Sequence, residues 1–176
     1  MCKYRFLTFA PLLALLIFGA CANEDRSRNT EQDEMVVSSA IEDESTAAGP
    51  VTITVRAIGN NMAEMDYDQE EITVPAGAEV TVTLVNEATD ASMVHNIVFV
   101  EKGKMEGIAR AGIQAGQEND WVPDNPVVIA HTKLAKPGES VTVTFTAPAA
   151  GEYEFVCTYP GHWQKMNGKF IVKGNA

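Results

Sequence analysis

An all-β sandwich of about eight short strands, with one short helical flap, is the fold this sequence predicts. Three observations carry it. From Val51 onward, apolar residues alternate with polar residues or threonine at period two in one segment after another. Proline and glycine clusters punctuate those segments as turns. No regular alternation of helix and strand patterns appears that would call for a parallel sheet.

Residues 1–21 stand apart from that domain. Lys3 and Arg5 make a basic start, and Phe6–Phe18 is an apolar run interrupted by Thr8 and Pro11. As a helix this run would span about 20 Å, short of the roughly 30 Å hydrocarbon core of a bilayer. It therefore reads as a signal peptide, with Cys2 inside it. Gly19 and Ala20 then precede Cys21, an ending that resembles the lipobox of bacterial lipoproteins, although Phe18 stands where leucine or valine is usual. The resemblance implies that Cys21 carries lipid and that the protein is exported, on the periplasmic or outer side of a bacterial membrane. The alternative is an ordinary signal peptide cut after Ala20 or Ala22.

Residues 22–50 are polar and acidic, with eight acidic residues against Arg26 and Arg28. Met35, Val36, Val37 and Ile41 offer too little apolar surface to offset the ordering of such a stretch. A disordered tether is expected, with a short helix over Met35–Ile41 as the alternative. Residues 51–176 form the single domain. The formal net charge is −11, which argues against a nucleic-acid partner and leaves no basic patch for anionic lipid.

The strands follow in order. Val51–Ile58, Glu79–Asn86, Ser140–Ala147 and Glu152–Cys157 carry the alternating pattern, and Ile72–Val74, His95–Val100, Val127–His131 and Lys169–Val172 are shorter strand candidates. Pro75–Gly77, Lys136–Gly138 and Pro148–Gly151 turn the chain between them. One region departs: in Lys104–Gln117, Met105, Ile108, Ala109 and Gly112 recur at helical spacing, while three glycines weaken the helix. This is the expected flap.

The stretch "CTYPGHWQKM" (Cys157–Met166) gathers a thiol, an imidazole and a thioether in one loop. In Glu152–Cys157 the two glutamates share one strand face, so Tyr153, Phe155 and Cys157 point inward. Pro160 and Gly161 turn the chain, and the C-x₄-H-x₃-M spacing lets His162 and Met166 come back toward Cys157. Of the three histidines, His95 follows a polar turn and is the candidate for a second imidazole, whereas His131 reads as a surface residue. Two imidazoles, one thiolate and a distant thioether suit an electron-transfer copper site, the soft donors favouring Cu(I) and the imidazoles tolerating Cu(II). Zinc could take the same ligands, but structural zinc sites favour four strong donors.

At these residues the chain resembles the azurins, blue copper proteins of the cupredoxin fold, a Greek-key β-sandwich. Besides "CTYPGHWQKM", the segments "MVHN" (Met93–Asn96), "VIAHTKL" (Val128–Leu134) and "AIGNNMAEMDYDQEEITV" (Ala57–Val74) are similar to azurin segments in the same order. The resemblance covers Val51–Val172. It implies copper held by His95, Cys157 and His162, with Met166 as a weak axial ligand. Val94 stands where azurins have a glycine, Ile97 where a tryptophan is usual, and Trp163 where a small residue is usual; the azurin disulfide has no counterpart. Around the ligands, Asn96 is suited to hydrogen-bond the 157–162 loop, and the backbone N–H groups of Asn96 and Tyr159 to face the sulfur. Met93, Ile113 and Pro160 are candidates for an apolar docking rim around His162, through whose edge electrons would pass.

The function expected is one-electron transfer, without catalysis, between redox proteins such as a c-type cytochrome or a membrane-bound reductase or oxidase. Copper oxidases of this ancestry need further histidines, and with two of three assigned to one site the chain lacks them. A copper carrier that never cycles is the alternative, although no methionine-rich or histidine-rich tract is present.

Overall fold

The computed structural model describes residues 49–174; the signal peptide, Cys21 and nearly all of the tether lie outside the described residues. Nine strands and one α-helix follow: β1 (Val51–Ile58), β2 (Asp66–Tyr67), β3 (Glu71–Pro75), β4 (Glu79–Asn86), β5 (Val98–Glu101), α1 (Met105–Ala115), β6 (Val128–His131), β7 (Ser140–Thr146), β8 (Gly151–Val156) and β9 (Asn167–Lys173). They form two sheets, ordered β2-β1-β4-β7 and β3-β9-β8-β5-β6. Each sheet is mixed. β1 and β4 run parallel, as do β3 and β9, and the remaining pairs are antiparallel. The parallel pairs arise because the chain passes through β3 in the second sheet before returning as β4 beside β1, a crossover that parallel neighbours require.

The alternation of the strands becomes the core. Val55 and Ala57 of β1, with Val80, Val82 and Leu84 of β4, face Ile72, Val74, Phe99, Phe155, Phe170 and Val172 from the other sheet. At its centre Phe99 lies 5.0 Å from the rings of both Phe145 and Phe170, and 6.1 Å from that of Phe155. On the outer face of the first sheet, threonine hydroxyls pair across strands, Thr81 with Thr144 at 2.9 Å and Thr83 with Thr142 at 3.2 Å. These pairs hold the register of β7, an edge strand.

Two expectations shift. The fifth strand begins at Val98 rather than His95. Before it, His95 makes an isolated bridge to Ala135, and the Ile97 N–H donates to the Thr132 hydroxyl at 3.1 Å. These three residues spend their hydrogen bonds on loops instead of a ladder. The extra strand is β2, whose Tyr67 sits opposite Ala57 of β1. Its two residues are too short to show a period.

The flap is helical over Met105–Ala115, burying Ile108, Ala109 and Gly112. Its apolar face covers Val98, Val100 and Val156 on the outer side of the second sheet, so the Val156 side of β8 is dry although Glu152 on the same face is exposed. No side chain of its own caps the helix start. Glu154 of β8 does so instead, its carboxylate accepting from the Gly103 N–H at 3.0 Å and the Met105 N–H at 3.4 Å. A carboxylate there satisfies free donors and complements the helix dipole. Packing and this borrowed cap outweigh the weak propensity of the glycines.

Phe99→Ala removes the ring at the centre of the aromatic cluster. A loss of about 3–5 kcal/mol is expected, read as a lower midpoint in a denaturant titration.

Candidate metal centre

Cys157 follows directly on β8 and is fully buried. Its N–H donates to the Met166 carbonyl at 2.9 Å, closing the loop into a ring of ten residues. Within it, the His162 N–H donates to the Tyr159 carbonyl at 3.1 Å, and the N–H groups of Lys165 and Met166 both return to the His162 carbonyl at 3.0 Å. Gly161 supplies the positive φ, +88°, that the turn needs. The result places His162 inward at 1% exposure and Met166 at 0%, and Met166 shares one core cluster with Cys157.

His95 arrives from the other side. Its N–H donates to the Ala135 carbonyl at 3.1 Å, and the Ala135 N–H returns to the His95 carbonyl at 2.7 Å. Asn86, at the end of β4, braces this bridge by donating from its amide to the carbonyls of Met93 at 2.7 Å and Ala135 at 3.0 Å.

The three side chains converge. Cys157 Sγ lies 3.9 Å from His95 Nδ1 and 3.7 Å from His162 Nδ1, and the two Nδ1 atoms are 3.2 Å apart. The point equidistant from all three corners of that triangle is about 2.1 Å from each, within the roughly 2.0–2.3 Å of ordinary metal–nitrogen and metal–sulfur bonds. Burial pushes the imidazole of His95 down to about 4, helped by the neighbouring His162, and burial pushes His162 down to about 4 as well. Both rings are therefore neutral at pH 7, so each has a nitrogen lone pair available to a metal. Burial pushes the Cys157 thiol up to about 11, against the pull of the Asn96 and Tyr159 N–H groups and the Tyr67 hydroxyl. Two imidazole nitrogens and one sulfur converging in a dry pocket form a donor set that fits a metal cation, whose binding would displace the thiol proton.

Asn96 joins the two halves. Its Oδ1 accepts from the Thr158 N–H at 2.9 Å, and its Nδ2 donates to Thr158 Oγ1 and to the Asp120 carbonyl, each at 2.8 Å. Asp120 and Trp121 both adopt left-handed backbone, φ 55° and 58°, a conformation uncommon outside glycine. That kink brings the Asp120 carbonyl to Asn96 and sets the Trp121 ring edge-on to Tyr159 at 6.0 Å. α1 must approach closely to make room: a Cβ at Gly112 would lie 2.2 Å from the Trp121 carbonyl oxygen.

Residues 53–173 match the family model described as copper binding proteins, plastocyanin/azurin family. The chain belongs to that family. Its cofactor is copper, and its fold is the cupredoxin sandwich. Auracyanin-A of Chloroflexus aurantiacus is 43% identical over 130 residues, 72% of this chain and 77% of that protein. Outer membrane protein H.8 of Neisseria meningitidis serogroup B is 38% identical over 130 residues, 71% of this chain and 69% of that protein. The solved structure of auracyanin A, titled a "blue" copper protein, superposes with a TM-score of 0.64 at 41% identity, covering 71% of this chain and all of that one.

Within this cupredoxin the remaining candidates separate. Val94 is half-buried beside His95. Met93 does not reach the surface: it is 4% exposed and packs in the main core, because the turn that bonds its N–H to the Asp90 carbonyl folds it inward. Nor is the His162 edge open; the Tyr159 ring lies over it, centroids 4.7 Å apart. The apolar surface there includes Met62 at 50% exposure and half-buried Pro160 and Tyr159, while Ile113, on α1, is 51% exposed. Met62 approaches Gly161 so closely that a Cβ there would meet its methyl group at 3.2 Å. Met62, Asn86, Asp120 and Tyr67 went unrecognised in the sequence. Met62, Tyr67 and Asp120 act across 24 or more residues, and Asn86 braces the site through Ala135, 49 residues away. His131 is exposed at the end of β6.

Asn96→Ala leaves the Thr158 N–H and the Asp120 carbonyl without their buried partner. Stability should fall by about 3 kcal/mol and metal affinity by about 10–100-fold, measured by thermal unfolding and competitive chelator titration.

Proposed function

We propose that the protein is a one-electron carrier whose copper is held by His95, Cys157 and His162, with Met166 as the weak axial donor. The observation that carries this reading is the convergence of one thiol and two neutral imidazoles at 3.2–3.9 Å in a buried pocket. Bound copper supplies a one-electron couple between its cupric and cuprous states, tuned by such a donor set. Each donor is fixed by backbone: His95 through Ala135, Cys157 through Met166, His162 through the Tyr159 turn. That frame holds the lone pairs in place whichever charge they face, so little rearrangement accompanies a transfer.

Burial also weighs against a copper carrier that hands over its ion, since His95, Cys157 and His162 are at 0%, 0% and 1% exposure. A carrier requires exchange with a partner's ligands, and these donors are covered. Electrons would pass by way of the Tyr159 ring over His162, at the surface formed by Met62, Tyr159 and Pro160. A small, transient contact below about 1,200 Å² suits such encounters. The partners are redox proteins outside the cytoplasm, a c-type cytochrome or a membrane-bound reductase or oxidase. The acidic tether of residues 22–50 would let a domain anchored by lipid on Cys21 reach them.

Two measurements test this. Addition of Cu(II) to the metal-free protein should give an intense blue thiolate–copper band and narrow copper hyperfine splitting in EPR, both abolished by Cys157→Ser; a pale spectrum indifferent to that change would move the carrier reading forward. For the anchor, the protein expressed in a bacterium should partition into the detergent phase, and Cys21→Ala should shift it to the aqueous phase.

A further inference from the structure

The ligand loop packs on both faces of the second sheet. Cys157 and Met166 belong to the core on its inner face. Trp163, next to His162 in sequence, packs instead against the apolar cluster of Val98, Val100, Ile108, Val122 and Val156, on the outer face beneath α1. The turn between these two anchors is tight. The Lys165 and Met166 N–H groups both bond the His162 carbonyl at 3.0 Å, and Asn167 Nδ2 donates to the Trp163 carbonyl at 2.9 Å.

Gln164 and Lys165, between the anchors, are exposed. Lys165 reaches another segment through an exposed hydrogen bond to the Ala63 carbonyl, for which water competes. Trp163 is therefore the apolar side chain that seats the outer side of the turn. α1 completes its pocket: the Arg110 guanidinium lies 5.9 Å from the indole ring, and Glu106 holds it, 2.8 Å from Arg110 Nε. These charges are exposed and add little. The buried indole surface is what joins helix to loop. Without it, the turn from His162 to Met166 would be packed on its inner side alone.

Resting on the copper reading above for what the loop holds, we infer that Trp163 is a positioning residue: it seats the ligand loop against the flap and so restrains His162 and Met166 between two packed faces. The test compares the full-length protein with Trp163→Ala, Trp163→Leu and Trp163→Phe, first without metal. In Trp163→Ala the Lys165 and Met166 amides should exchange hydrogen about tenfold faster, over and above any acceleration of the β4 amides, the factor that losing a half-buried aromatic contact gives to local opening. Trp163→Phe should recover most of the protection, and Trp163→Leu reads the same amides should the alanine variant not fold. Equal factors for the loop and β4, or no change in the loop, would overturn the inference and leave Trp163 a residue of general packing. With copper bound, Trp163→Ala should lower metal affinity about tenfold in a chelator titration and broaden the EPR hyperfine lines; an unchanged affinity with unchanged lines would likewise count against the role. Should the unsubstituted protein lack the blue band, the copper reading fails, while amide exchange still decides whether Trp163 restrains the loop.

Discussion

The centre depends on one amide. Two chain segments 62 residues apart have to hold three donor atoms at fixed separations, and the Asn96 side chain is what spans them. His95 is its sequence neighbour, Thr158 is the neighbour of Cys157, and Asp120 brings in the segment after the flap. Buried polar networks of this kind specify a unique arrangement when every member is satisfied and destabilise it when one is not. Here both amide atoms have partners. The rest of the architecture serves that span: β5 and β8 lie side by side, with Val98 opposite Val156, so the two segments leave the sheet together.

How much of this could be read from the chain depends on distance along it. Alternation at period two located four of the nine strands among the described residues, because half-buried strands imprint their geometry residue by residue, and shorter apolar runs bounded by turns located four more. The C-x₄-H-x₃-M loop was legible for the same reason, its ligand candidates lying within ten residues. Tyr67 and Asn86 were not. Tyr67 bonds Asn96 across 29 residues, and Asn86 bonds Ala135 across 49. The left-handed backbone of Asp120 and Trp121 had no glycine to announce it. His95 was singled out as a ligand candidate and does converge with Cys157 and His162, but it was read as the start of a strand, when its backbone is in fact committed to Ala135.

The flap shows how packing overrides propensity. Gly107, Gly112 and Gly116 make Lys104–Gln117 a poor helix by composition. Yet Gly112 is what lets the Trp121 carbonyl approach, and through Trp121 the helix reaches the ring over His162. The residue that weakens the helix locally is the one that allows it to cover the centre. Arg110 adds to this cover from the helix surface, its guanidinium 5.9 Å from the Trp163 ring.

The closed ring from Cys157 to Met166 has a consequence for the unfolded chain. Three of the four proposed ligands lie in that one short segment, so a denatured molecule keeps thiol, imidazole and thioether within easy reach of a single ion. An ion that also binds the unfolded chain stabilises the native state by less than its native affinity alone would give. The difference is set by the fourth donor: only folding delivers His95. The gain in stability on loading this protein should therefore measure what a single distant imidazole and a rigid frame add to a site that is otherwise already written in ten consecutive residues.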